Sequence, residues 1–146
     1  MSRASYYQIN RAAIDAMQGV YQHVTTIDPK LRALVELRVS QINGCLYCCN
    51  AHSMEARAAG ETQQRLDCLP AWDESNFFDA AEKAALGWAE SLTDVSHTHA
   101  PDADYAALTP HFSEAQIVDL TLIISMMNAW NRIAIGHRTQ PARRKT

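Results

Sequence analysis

The sequence predicts an all-α protein folded as a single domain over residues 1–146. Apolar residues recur at three- and four-residue spacing along most of the chain, and no convincing stretch alternates with a period of two. A chain of 146 residues is about the size of one domain and is long enough to bury a substantial core. Residues 70–76 and 93–101 are predicted loops, and neither is a linker that would divide the chain.

Capping signals mark the first two helices. A first helix is predicted over residues 6–23. Asp28 followed by Pro29 begins a second helix, because Asp is favoured at the N-cap and Pro at the first helical position. This helix continues to about residue 42, where Asn43-Gly44 breaks it.

The later helices follow from similar signals. A third helix is predicted from near Cys45 to Gly60, a residue that suits a left-handed C-terminal cap. The last long helix opens at Ser113, whose capping-box partner is Gln116, and runs to about residue 135. The polar tail over residues 139–146 is expected to fray. Shorter helices are predicted in between, over residues 62–68, 79–92 and 102–108.

An internal similarity appears when the chain is aligned with itself at an offset of 85 residues. Polar and apolar positions of the second helix then match positions of the last helix, as two helical hairpins of common origin would. Two unrelated amphipathic helices also agree this well by chance, so the similarity has two interpretations, a pseudo-repeat or a coincidence. The alignment pairs Leu37, Ser40, Asn43 and His52 with Leu122, Ser125, Asn128 and His137.

Composition excludes several classes of protein. With 13 Lys and Arg against 16 Asp and Glu, the net charge is -3, and nothing suggests a nucleic-acid partner. The most apolar segment, residues 117–135, is interrupted by Asp, Asn and Arg, so we expect no membrane span. We also expect no signal peptide, and four cysteines without one favour a reducing compartment, the cytoplasm.

The stretch NGCLYCCNAH, residues 43–52, holds three of the four cysteines and a histidine. On a helix, Cys45, Cys48 and His52 project within roughly 60° of one another, and Cys49 lies on the other side of His52. We therefore expect all four side chains to be gathered. A close cysteine pair in a reducing compartment is typical of catalysis or metal binding.

A disulfide in this stretch requires a particular backbone. Residues three apart inside a helix keep their β-carbons about 5–6 Å apart, whereas a disulfide needs about 3.8 Å. The first cysteine must therefore lie at the helix start, and Gly44 permits that conformation. Cys45 and Cys48 can then bond, while Cys45 and Cys49 are less well placed. A thiol in the first turn also has its pKa lowered by the helix dipole, and His52 is placed to take a proton from Cys48.

Three interpretations of these residues remain open at this point. One is a set of buried helical cysteines with a satisfied histidine. The second is a redox-active dithiol. The third is a zinc site, which normally shows a second ligand pair at recognisable spacing. Its ligands would be Cys45, Cys48, His52 and a fourth residue such as Cys49, His97 or His99.

The segment LRVSQINGCLYCCNAHSMEARAAGETQQRLDCLPAW, with its pattern S-x-x-N-x-C-x-x-C-x-x-x-H, resembles the core of the alkylhydroperoxidase D / carboxymuconolactone decarboxylase family. The likeness is centred on residues 31–60 and extends to AEKAALGWAESLT and MMNAWNRIAIGHR. The resemblance implies an all-helical fold and a homo-oligomer, either a trimer or a hexamer. It places the chain in the cysteine-bearing branch, which carries thiol-dependent peroxidase or disulfide reductase activity without metal or organic cofactor.

The resemblance also implies roles for individual residues. Cys48 attacks the O–O bond of a hydroperoxide, His52 assists its deprotonation, and Cys45 resolves the sulfenic acid into a disulfide. An external dithiol or a reductase protein then reduces the pair. The helix-start argument favours Cys45 as the more acidic thiol. We follow the family and assign Cys48 as the nucleophile, because a base beside it outweighs a dipole effect of about 1 kcal/mol.

One position departs from the family pattern. Relatives with a proton relay place a glutamate twelve positions before the first cysteine, and that position here is Ala33. Glu36, three residues on and on nearly the same helix face, is the candidate replacement. The alternative is a surface charge that pairs with Arg32 or Arg38.

Other conspicuous side chains receive structural interpretations. Cys49 is a spare thiol, an alternative resolving residue or a packing residue, and we favour packing. His137 lines the same cleft as His52 or caps the last helix, and we favour the cap. Three aromatic and two methionine side chains are expected in the core or at a subunit interface, and we do not expect them to form a surface that binds substrate. They are Trp88, Tyr105, Met126, Met127 and Trp130.

Overall fold

The all-α prediction is confirmed by the structure, a computed structural model that describes residues 3–144. The predicted flexible tail falls partly on residues 145 and 146, which lie outside the described residues, and residues 139–144 form no helix. The α-helices are α1 (Tyr6–Ile9), α2 (Arg11–Gly19), α3 (Pro29–Asn43), α4 (Leu46–Ala58), α5 (Gln63–Asp67), α6 (Ala80–Thr93), α7 (Val95–Thr98), α8 (Asp102–Ala106) and α9 (Glu114–His137), with 3₁₀ turns at Val20–His23 and Leu69–Ala71.

The predicted caps form as the sequence indicates. The Asp28 carboxylate accepts from the backbone N–H groups of the first turn of α3. The predicted capping box of Ser113 with Gln116 begins α9, and a second box that was not predicted, Asp79 with Glu82, begins α6. These side chains satisfy backbone donors that a helix leaves unpaired at its start, which is why the long helices begin where they were predicted.

Two predicted boundaries are wrong. The first helix, predicted over residues 6–23, is interrupted at Asn10, whose side chain turns back to accept from the Ala13 N–H and caps α2. Its last turn is a 3₁₀ turn rather than α-helix. The predicted loop over residues 93–101 contains α7, a helix of four residues. One turn is too short to show a helical period in sequence.

Helix α3 is the centre of the molecule, packed against α4, α6 and α9. Its neighbouring residues Leu34 and Val35 are both fully buried, and they belong to two different core clusters. A helix that packs into two core clusters has little exposed surface. Polar groups on α3 are therefore buried too, and each needs a partner supplied by the fold.

A partly buried amide cluster fixes the C-terminal end of α3 against α9. The Asn43 side chain donates to both Asn128 Oδ1 and Asn131 Oδ1 at 2.9 Å, and Asn131 donates to Ser40 Oγ at 3.1 Å. Asn43 and Asn128 are partners in the internal alignment, so the matched helices contact each other. The similarity does not extend to two whole hairpins. At the position aligned with Gly44 the chain stays helical within α9, whereas at Gly44 it turns from α3 into α4.

Gly44 makes the turn between α3 and α4 possible. It has φ +67°, and a β-carbon placed on it would meet no atom within 4 Å. We expect Gly44→Ala to lower the free energy of unfolding by about 1–2 kcal/mol, because the cost is purely one of backbone conformation. Urea unfolding measures this change.

Gly19 is the matched control for that substitution. It also has open space around it, but its backbone is right-handed, with φ -60°. Gly19→Ala is expected to raise the free energy of unfolding by about 0.5–1 kcal/mol. Equal effects of the two substitutions would show that the left-handed conformation of Gly44 is not what the turn requires.

Candidate active site

The turn at Gly44 places Cys45 at the N-cap of α4. Cys45 has an extended backbone, and its Sγ accepts from the Cys48 N–H at 3.4 Å. The Cα atoms of the two cysteines are 5.3 Å apart, and their sulfurs lie at disulfide distance. This is the arrangement that the geometric argument from sequence requires, with the first cysteine outside the regular helix.

Cys48 and His52 line a cavity of about 330 Å³. Helices α3 and α4 supply its polar wall, which includes Glu36. The N-terminal helices and α9 supply mostly aromatic and apolar side chains to the other walls, among them Tyr21 and Trp130. The cavity therefore combines one cysteine sulfur, one imidazole and two carboxylates with space for a small organic molecule.

The expectation that all four Cys and His side chains are gathered is wrong for Cys49, whereas Cys45 lies within bonding distance of Cys48. Cys45 faces a separate cleft of about 80 Å³ between the start of α4 and the end of α9. Cys49 lies on another face of α4, beside the second core cluster, and burial raises its thiol pKa. On a helix Cys49 is turned by about 100° from Cys48, and the core occupies that side. Its surroundings are those of a packing residue.

A chain of alternating charges runs along the polar wall. Arg32 Nε donates to Glu36 Oε1 at 2.8 Å, and Glu36 Oε2 lies 3.0 Å from His52 Nδ1. Glu55 Oε2 lies 2.8 Å from the same nitrogen. Glu36 is only 1% exposed, so its interpretation as a surface charge is wrong. Arg32 is its predicted partner, whereas Arg38 pairs with Glu90 on α6.

The carboxylates hold a proton on His52. Burial by itself lowers the pKa of His52, but hydrogen bonds and charge from Glu36 and Glu55 outweigh it and raise the pKa to about 9. The hydrogen bond from His52 in turn lowers the pKa of Glu55. At neutral pH the imidazole is therefore a cation, which can stabilise a thiolate and donate a proton but is not free to accept one.

Sequence reasoning did not place Glu55, Tyr21 or Trp130 at the site, and it named Arg32 only as a partner for Glu36 on the surface. Glu55 lies three residues after His52, so helical spacing alone could have indicated it. Tyr21 and Trp130 are different. They reach the cavity only through the packing of distant helices, for which the sequence carries no local signal.

The histidines proposed for a zinc site are not assembled with the cysteines. His97, within α7, pairs with Asp94 at the start of that helix, with a distance of 2.7 Å from Nδ1 to Oδ1. Within residues 3–144, one group of three or more potential metal ligands has its ligand atoms within 4.8 Å of one another. That group is Glu36, His52 and Glu55, which contains no cysteine. Hydrogen bonds and opposite charges already account for its geometry.

His137 and Trp88 have structural contacts away from the cavity. His137 Nδ1 lies 2.7 Å from the Ala4 carbonyl oxygen, and its ring packs on Tyr6 with centroids 5.2 Å apart. The favoured cap at the end of α9 is therefore replaced by a contact that ties down the N-terminal segment. Trp88 is buried, donates to Thr121 Oγ1 at 3.0 Å and packs edge to face on Tyr105.

None of the helices within residues 3–144 has the length and apolarity that a membrane crossing needs.

Comparison with protein families gives a match over residues 8–91 to the carboxymuconolactone decarboxylase family. That match includes both cysteines of the pair, Glu36 and His52. The uncharacterized protein YdfG of Bacillus subtilis (strain 168) is 42% identical over 136 residues, which are 92% of this chain and 92% of YdfG. This similarity extends past the matched family segment to nearly the whole chain.

Solved structures share the fold. ATU0492 from Agrobacterium tumefaciens, a protein of unknown function for which an antioxidant defence role as AhpD has been suggested, superimposes with a TM-score of 0.93. It is 34% identical, and the match covers 98% of this chain and all of that one. An uncharacterized peroxidase-related protein from Silicibacter sp. TM1040 has a TM-score of 0.82 at 24% identity, over 93% of this chain and 73% of its own, and shows the fold alone.

The charge network predicts an unusual titration of His52. We expect NMR to give a midpoint near pH 9, with the imidazole protonated below it. Because the ordinary value is about 6.5, protonation of His52 stabilises the fold fully below about pH 6.5, and this contribution is lost as the pH rises through 9. Glu36→Gln removes one carboxylate and should lower the midpoint toward the ordinary value.

Glu61→Gln is the matched control for Glu36→Gln. Glu61 is also a buried carboxylate in an ion pair, with Arg65 Nε at 2.8 Å, but it does not line the cavity. This variant should leave the His52 titration unchanged. A wild-type midpoint near 6.5, or the same midpoint in Glu36→Gln, would contradict the network.

Proposed function

The chain belongs to the carboxymuconolactone decarboxylase family, and from this premise we propose that it is a thiol-dependent peroxidase. It reduces hydroperoxides through a dithiol–disulfide cycle of Cys45 and Cys48. The observation that carries the proposal is a single arrangement: Cys48 and a charged His52 line the same cavity, and a second sulfur lies at bonding distance from Cys48. This arrangement offers a nucleophile, a proton and a resolving thiol in one place.

The first step oxidises Cys48. Its thiolate attacks the distal oxygen of the hydroperoxide, the S–O bond forms and the O–O bond breaks, leaving a sulfenic acid and an alkoxide. The His52 imidazolium gives its proton to the alkoxide, which leaves as an alcohol. The positive charge of His52 also favours the thiolate form of Cys48 before the attack.

The second step closes the disulfide, and a third restores the thiols. The Cys45 sulfur attacks the Cys48 sulfenic acid and releases water, which accounts for both sulfurs and the second peroxide oxygen. A dithiol, free or carried by a reductase protein, then reduces the bond by exchange and becomes a disulfide itself.

Glu36 supports this chemistry through His52. It is buried, it contacts His52 Nδ1 at 3.0 Å, and Arg32 holds its other oxygen. We assign to it the positioning role that relatives give to the glutamate at the position of Ala33. Ala33 is itself buried and apolar here, so Glu36 takes this role from one turn closer to the cysteines.

The size of the cavity favours an organic hydroperoxide as substrate. Its volume of about 330 Å³ is at the lower end of the range for small-molecule sites and far exceeds what hydrogen peroxide needs. Ile14 and Met127 contribute apolar surface, and aromatic side chains supply the rest of the non-polar walls. A carbon group of moderate size would bury its surface there, with the O–O bond directed toward Cys48.

The alternative is a non-enzymatic protein whose thiols sense oxidation or bind zinc. A sensor needs an oxidisable pair but has no need of a cavity that one cysteine shares with a charged proton donor. The geometry favours the enzyme for that reason.

Variants of the cysteines test the proposal. Consumption of cumene hydroperoxide is measured with a small dithiol as reductant. Cys45→Ser and Cys48→Ser are each expected to lose turnover, because both sulfurs are needed in every cycle. Cys49→Ser is the control on the same helix, and it should keep the wild-type rate.

Trapping the sulfenic acid separates the roles of the two cysteines. Cys45→Ser should accumulate a sulfenic acid that a nucleophilic trap labels at Cys48, whereas Cys48→Ser should give none. Retention of turnover by Cys48→Ser with its loss in Cys45→Ser would reverse the assignment. No oxidation of the reduced wild-type protein by peroxide would refute the proposed function.

A further inference from the structure

We propose that the Tyr21 hydroxyl and the Trp130 indole N–H together bind the oxygen atoms of the hydroperoxide in the Cys48 cavity. This proposal rests on the proposed function and adds a substrate-binding site to it. The donors come from the 3₁₀ turn at Val20–His23 and from α9, whereas the nucleophile comes from α4. Three separate elements would then hold the reacting bond.

The observation behind the proposal is a pair of unsatisfied buried atoms. Among residues 3–144, three buried side-chain polar atoms have no hydrogen-bond partner: Tyr21 Oη, Trp130 Nε1 and Ser91 Oγ. The first two belong to residues that line the same cavity as Cys48, and Ser91 does not line it. A buried unpaired donor costs about 1–3 kcal/mol, so native proteins usually supply a partner. A ligand oxygen in the cavity would be that partner.

The two groups do not satisfy each other. The Trp130 indole is close enough to the phenol to act on its pKa, but the pair does not reach hydrogen-bond geometry. Burial is the main cause that raises the pKa of Tyr21, and the Glu36 charge adds to it, so the phenol keeps its proton. An indole nitrogen can only donate. Both groups are therefore available as donors to an oxygen acceptor.

The charge network also positions Tyr21. The guanidinium carbon of Arg32 lies 4.2 Å from the centroid of the Tyr21 ring, over its face. Arg32 is held in turn by its 2.8 Å contact with Glu36, which also holds His52. The same chain of contacts therefore positions His52, the proton donor of the reaction, and Tyr21, one of the two groups that bind the peroxide oxygens.

The donor pair has a chemical role distinct from that of His52. When Cys48 attacks, negative charge moves from sulfur to the leaving oxygen. Fixed donors in a buried site stabilise charge that develops there, and they keep their own protons. His52 completes the step by proton transfer. Binding of the oxygens by Tyr21 and Trp130 would also orient the O–O bond toward the sulfur.

The test measures the two half-reactions separately by stopped flow. Reduced protein is mixed with cumene hydroperoxide, and oxidised protein is mixed with dithiothreitol. Tyr21→Phe and Trp130→Phe should each slow oxidation by peroxide about tenfold or more, as loss of a donor to a developing oxyanion does. Reduction by dithiothreitol should be unchanged, because it involves no peroxide oxygen. Tyr105→Phe, outside the cavity, is the control and should change neither rate.

A structural role for these side chains would give a different result. If Tyr21→Phe or Trp130→Phe disturbed the site through packing, both half-reactions would slow and the His52 titration would shift, and the proposal would be overturned. Wild-type rates of oxidation in Tyr21→Phe would also overturn it, while the proposed function would stand. Absence of any peroxide reaction in the wild-type protein would instead refute the proposed function itself.

Discussion

The ion pair between Glu36 and His52 is the interaction on which the organisation of the site depends. Glu36 is on the central helix α3, where it is 1% exposed, and a buried charge without a partner is strongly destabilising. His52 on α4 supplies one partner and Arg32 the other. Because the pair also keeps His52 protonated, the contact that satisfies a buried charge in α3 provides the site with its proton donor.

The same arrangement gives the sulfurs of Cys45 and Cys48 different surroundings. Cys48 faces the large cavity with the imidazolium, whereas Cys45, at the N-cap of α4, faces a smaller cleft. The helix dipole acts on thiols in this first turn, but only Cys48 shares the cavity with the positive charge of His52. Two neighbouring cysteines thus receive unequal surroundings, which fits a nucleophile and a resolving thiol.

The sequence predicted the features that depend on local spacing. Caps at Asp28 and Ser113, the break at Gly44 and the Cys45–Cys48 geometry each need only a few neighbouring residues. Features that depend on long-range packing were missed or misjudged. Glu36 looked like a possible surface charge because helix spacing does not reveal that α3 is surrounded. Trp130 looked like a core residue because its place in the cavity wall depends on how α9 meets the N-terminal segment.

The central claim is that a protonated His52 makes Cys48 an acidic thiol, and a direct thiol titration tests it. In Cys45→Ser, the ultraviolet absorbance of the thiolate is followed against pH, with the further change Cys48→Ser giving the background of Cys49 and Cys68. Cys48 should titrate well below the ordinary thiol value of about 8.5, and the midpoint should rise when His52→Gln is added. A Cys48 midpoint near about 8.5 that does not respond to His52→Gln would contradict the account.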